Sequence, residues 1–155
     1  MERLRYDDDT AFTLADDAAT VARIARTATA ERLREVRFDE WSALMVLGHV
    51  ADMAEVFAER VRRCVAEDRP RLPAVDQDAI TAQRGNDAGD PMAMAKRIQE
   101  AHGEIVRLLA TPANHARLGV HGEWGEVDAA HIAGYHARHA HEHVSDLAAR
   151  FPPSN

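Results

Sequence analysis

Cysteine is almost absent from this chain of 155 residues: Cys64 is the only one, so no internal disulfide can form. It lies in a helical stretch among arginines and valines, where a structural role is favoured over redox or ligand chemistry. No apolar run approaches the eighteen or so residues of a membrane span, and the start, Met1 to Tyr6 followed by three aspartates, lacks the basic-then-apolar order of a secretory signal. Both absences point to a cytoplasmic protein. Positive charge is in short supply, with 19 Lys and Arg against 26 Asp and Glu and a formal net charge of −7. That balance argues against nucleic acid and anionic membrane as partners. Aromatic residues make up only 5% of the chain, and no alternating strand-like run or internal repeat is visible.

What is present is alanine-rich, 46% hydrophobic and 29% charged, a composition that favours soluble helices. The length suits one domain spanning residues 1–155. Asp7 to Thr10 offer capping oxygens, and Phe12, Leu14, Ala18, Val21, Ile24, Ala25 and Ala28 recur at helical steps, predicting a first helix to about Val36. Asp39 and Ser42 compete to cap a second, long helix, whose core face carries Leu44, Leu47, Val50, Ala51, Ala54, Phe57, Ala58 and Val61 to about Ala66. From Asp68 to Asp90 the pattern dissolves among Pro70, Pro73, Gly85 and Gly89, an unusually long loop for so small a chain. Its carboxylates Asp76 and Asp78 read most simply as turn residues. Asp90 with Pro91 at the first helical position then opens a third helix to about Ala110, stopped by Thr111-Pro112. A fourth helical segment runs from Val127 to about Arg150 and ends at Phe151-Pro152-Pro153. The expected fold is all-α, a four-helix bundle with the long loop between helices two and three.

Histidine is the abundant reactive residue. Five of the nine fall between residues 131 and 143, and His139 and His143 are four apart in the fourth helix. One helical turn places two imidazoles on the same face, about 5–6 Å apart at Cβ, where they can share one metal ion. Two donors do not make a stable centre, so a third is needed from a core-facing position elsewhere. His49 is the natural candidate, because Met45, Met53 and Val56 lie on its side of helix two. His102, beside Gly103 and Glu104, fits less well, and His115 and His121 fall in a loop.

His136 shares the stripe of His139 and His143 and could replace a ligand, orient the site or shuttle a proton, which makes it the least weak candidate for a general base. His141 points to the other side at about 100° per residue and is expected to be exposed. Tyr135 and His131 could line the mouth of a pocket, although Tyr on a bundle helix more often packs. Asp52, one turn after His49, could hold an imidazole N–H or form an exposed ion pair. Trp41 and Trp124 read as core or loop anchors.

Trp41-Ser42, Leu47-Gly48-His49-Val50-Ala51-Asp52, a long Pro-containing loop, and Gly125-Glu126-Val127 leading on to His139-Ala140-His141-Glu142-His143-Val144 resemble the DinB/YfiT-like superfamily. The resemblance spans about residues 38–150; the first helix agrees in length and polarity only. It implies a four-helix bundle in which His49, His139 and His143 bind one divalent metal. Relatives include thiol-dependent S-transferases, a mycothiol-dependent maleylpyruvate isomerase and hydrolases, and the family name reflects DNA-damage induction of one relative, not DNA chemistry. Zinc is the default ion, with nickel, iron, manganese or copper also suited to imidazole. Three neutral donors leave a coordination position open for water or a low-molecular-weight thiol cosubstrate. The function expected is therefore a metal-dependent transferase, isomerase or hydrolase acting on a small molecule. The alternative is a metal-binding or structural bundle without turnover, a homodimer through an apolar helix face.

Overall fold

The computed structural model describes residues 2–75, 79–80 and 88–154, so the expectations for Asp76 and Asp78 lie outside the described residues. Helix α1 spans Asp8–Thr27 and begins with a reciprocal capping box: Asp7 accepts from the Thr10 backbone and the Thr10 hydroxyl accepts from Asp7 N–H. The expected continuation to Val36 is broken. Ala28 turns to an extended conformation (φ −102, ψ 142), and the Thr29 hydroxyl caps a separate short helix α2, Ala30–Glu35. A threonine at that position offers the backbone an alternative to the helical ladder, which is why one periodic stripe becomes two elements. Phe12, placed on that stripe from its spacing, is 69% exposed instead.

A two-residue strand β1, Arg37–Phe38, turns through Asp39 (φ 54) and pairs antiparallel with β2, Trp41–Ser42. Ser42, rather than Asp39, then caps α3, Ala43–Ala66, by accepting from Met45 N–H at 3.1 Å. Beyond α3, β3 (Arg71–Leu72) pairs parallel with β4 (Leu118–His121), and β4 pairs antiparallel with β5 (Gly125–Asp128). Strands this short carry no readable alternation, and the parallel register Arg71↔Val120 joins segments far apart in sequence, so the strand-free expectation is corrected only by the folded chain. Helix α4, Pro91–Leu109, has Asp90 as its cap and proline in its first turn, and a 3-10 turn, Pro112–Ala116, follows. Helix α5, Ala129–Arg150, is capped by Asp128, which accepts from His131 N–H at 2.8 Å.

The long helices pack as a four-helix bundle in the cyclic order α1, α4, α3, α5. Two apolar clusters fill it. One gathers Val21, Ile24, Leu44, Leu47, Ile98 and Leu147, and the other Leu14, Phe57, Val61, Ile105, Leu109 and Ile132. Among these apolar residues each long helix also carries buried polarity: Asp17 on α1, His49 and Asp52 on α3, His102 on α4 and His136 on α5. Burying polar groups in a small core is unfavourable unless they are satisfied, so these positions are where chemistry is to be sought. Cys64 is fully buried in the second cluster, and burial pushes its thiol up to about 11, in keeping with a packing role. Among the described residues no helix is long and apolar enough to cross a membrane.

Candidate metal centre

His49 projects from the second turn of α3, on the stripe of that helix that faces the core, and is 2% exposed. His139 and His143 come from α5 and are half-buried. The helix crossing brings the three together, with His49 ring centroids 5.7 Å from His139 and 5.0 Å from His143. One nitrogen from each lies within 4.8 Å of the others, the single such group of His, Cys, Asp or Glu donors among the described residues. The Nε2 atoms of His139 and His143 are 3.3 Å apart. Two nitrogens each about 2.0–2.1 Å from one tetrahedral ion would stand about 3.3 Å apart, so the spacing and the all-imidazole donor set fit zinc and its neighbours among the transition metals.

Electrostatics favour the form a metal needs. Burial, then the neighbouring His143 and His139, push His49 down to about 4, against a smaller opposing pull from Asp52. His139 and His143 are lowered too, chiefly by burial. The lowered values favour at all three the neutral imidazole that coordination requires. Trp41 closes one side, its ring 5.0 Å from that of His49.

The family model described as the DinB superfamily matches residues 13–147. The chain belongs to the DinB superfamily. No curated protein sequence matches it. Among solved structures, YfiT from Bacillus subtilis, a probable metal-dependent hydrolase with an unusual four-helix bundle topology, superimposes with a TM-score of 0.80 at 21% identity, over 99% of this chain and 94% of that one. The mycothiol-dependent maleylpyruvate isomerase superimposes with a TM-score of 0.69 at 11% identity, over 90% of this chain and 60% of that one. At such identities the likeness establishes the shared fold.

Within this DinB-superfamily bundle the remaining sequence candidates take varied places. Asp52 is buried, not exposed, and its Oδ1 accepts from the Arg97 guanidinium at 2.6 Å; Arg97 also binds Glu55. Tyr135 stacks on Phe57 (5.7 Å, 22°) and meets Trp124 at 4.7 Å, with its ring 6.2 Å from His139. Together with Met53, Arg60 and His121 it lines a small cavity. His136 is buried but does not join the three converging histidines. It stacks on Phe57 (5.4 Å, 23°) and meets Nε2 of His102 with its own Nε2 at 3.0 Å.

His102 is the residue sequence reasoning set aside. It is 1% exposed, and Nδ1 lies 2.8 Å from the carbonyl of Leu14. Its flanking Gly103 and Glu104 suggest a surface, yet it lies four after Ile98 and three before Ile105, on the stripe that faces the core; that spacing was the available signal. His131 is structural: buried, with Nδ1 accepting from Leu4 N–H at 3.0 Å. His141 is about half exposed as expected, but it also bonds the buried Asp17 through Nδ1 at 3.0 Å, fastening α5 to α1.

The His143 side of the centre opens into a cavity of about 520 Å³ lined by Phe38, Asp39, Glu40, Trp41, Val46, His143 and Asp146. Volumes of this order hold small organic molecules.

Proposed function

We propose that this protein is a metal-dependent enzyme that activates water or a low-molecular-weight thiol for hydrolysis, transfer or isomerisation of a small molecule, with His49, His139 and His143 as ligands of one divalent ion, zinc by default. The observation that carries the reading is the convergence of three imidazoles, donors within 4.8 Å, one of which, His143, lines a cavity large enough for a substrate. YfiT, a probable metal-dependent hydrolase that shares the fold over nearly its whole length, supports it.

A divalent ion in such a site supplies a nucleophile at neutral pH by acidifying a water or a thiol. The chain's own residues do the rest. Three uncharged histidines leave the ion's charge uncompensated and a position open, unlike a closed structural site. Burial of His49 keeps its imidazole unprotonated and oriented. Phe38, Trp41 and Val46 give the cavity an apolar wall that lowers the local dielectric around a bound substrate.

The test is elemental analysis of tag-free protein beside a His49→Ala, His139→Ala double variant, followed by turnover with a panel of thiols, electrophiles and esters. We expect about one equivalent of metal in the first protein, little in the second, and metal-dependent turnover of at least one substrate pair. Equal metal in both would remove the site, and a fully metallated protein inert across the panel would remove the enzyme.

A further inference from the structure

The cavity beside His143 has a composition that restricts what can enter it. Phe38 and Trp41 are direct cross-strand partners on the β1–β2 hairpin, so their side chains stand on one face and form an aromatic wall. The turn between them contributes Asp39 and Glu40. On the opposite side, α5 contributes Asp146, three residues after His143. The lining therefore holds three carboxylates and no lysine or arginine. None of the three forms an ion pair among the described residues. Two guanidinium groups border the cavity without lining it: Arg37 donates to the backbone carbonyl of Glu40 at 2.6 Å, and Arg150 lies over the Phe38 ring at 5.7 Å.

Unpaired carboxylates attract cations and repel carboxylate and phosphate groups, and an aromatic wall adds to the attraction, as the Arg150 guanidinium over the Phe38 ring illustrates. Resting on the metal-centre reading above, we propose that this cavity is the substrate subsite of the centre and selects small organic cations, ammonium groups carried on an apolar or aromatic body. The reacting end of such a molecule would face His143 while its ammonium lies among Asp39, Glu40 and Asp146.

Calorimetric titration with 1-naphthylmethylammonium, 1-naphthylmethanol and 1-naphthoate, near-isosteric probes differing in charge, tests this in both zinc-loaded and metal-free protein. The ammonium should bind at least about tenfold more tightly than the carboxylate in metal-free protein, with the preference shrinking as salt is raised. Asp39→Asn with Glu40→Gln should bring the ratio toward one; asparagine tolerates the left-handed turn at position 39. Asp16→Asn with Glu100→Gln, which removes the same charge from distant exposed positions, should leave the ratio intact. Equal binding of the three probes, or an equal loss in the two double variants, would overturn the subsite. Zinc loading of wild type but not of His49→Ala, His139→Ala tests the metal reading separately, so a failure of that reading is distinguishable from a failure of charge selection. Zinc-loaded protein in which no probe competes with metal-dependent turnover would detach the cavity from the centre.

Discussion

His136 donates its Nε2–H to the bare Nε2 of His102, 3.0 Å away. The direction follows from the other end of the pair: a carbonyl oxygen only accepts, so Nδ1 of His102, 2.8 Å from Leu14 O, carries the hydrogen, and in the neutral ring Nε2 must be unprotonated. Burial lowers the pKa of both rings, which keeps them neutral. Nδ1 of His136 is then a buried lone pair with no hydrogen-bond partner among the described residues.

This chain of donors makes an asymmetric prediction. His102→Phe strands the His136 N–H in the core and should cost about 1–3 kcal/mol, whereas His102→Phe with His136→Phe removes both polar partners and should cost less than either change alone implies. Urea unfolding of the two singles and the double completes the cycle. Strictly additive losses would show that the two rings are not coupled.

Stability of the metal-free protein should fall as pH drops below about 6.5. His49, folded at about 4, and the lowered His102 and His136 take up protons more readily unfolded than folded, so their contribution is full above the unfolded value and disappears as pH falls toward the folded one. Unfolding free energies from urea titrations at pH 7.5 and 5 should differ by an amount on the order of a few kcal/mol. The His102→Phe, His136→Phe double variant should show a shallower dependence. A midpoint independent of pH across that window would contradict the buried neutral histidines.

Zinc should stabilise the folded chain. At free metal about a hundredfold above the dissociation constant, the gain is about 2.7 kcal/mol, visible as a rise in melting temperature that EDTA reverses. His143→Ala should melt at the same temperature with or without zinc. A rise of equal size in that variant would place the ion elsewhere.

Gly134→Ala sets two effects against each other. Alanine favours the helix by up to about 1 kcal/mol, but its Cβ would stand 2.7 Å from the carbonyl oxygen of Arg5 and 3.1 Å from Leu4 Cβ, where the N-terminal segment crosses α5. Displacing that segment also strains the Leu4 hydrogen bond to His131. The clash should win, leaving a net loss of about 1 kcal/mol in urea unfolding. A gain in stability would show that the segment gives way freely.

Much of this protein is written locally. Asp7, Ser42, Asp90 with Pro91, and the apolar spacing behind them determine where the helices begin and which face each buries, because capping and periodicity act within a few residues. The four-residue step from His139 to His143 equally settles that those two rings share a face. What one helix presents to another is a matter of packing. Only the tertiary structure brings His49 to that pair, turns the unpromising His102 toward His136, buries Asp52 against Arg97, joins His141 to Asp17, and pairs Arg71 with Val120. Each of these contacts lies between residues separated by tens of positions, where the crossing of elements and the exclusion of water decide proximity and no local spacing carries the information.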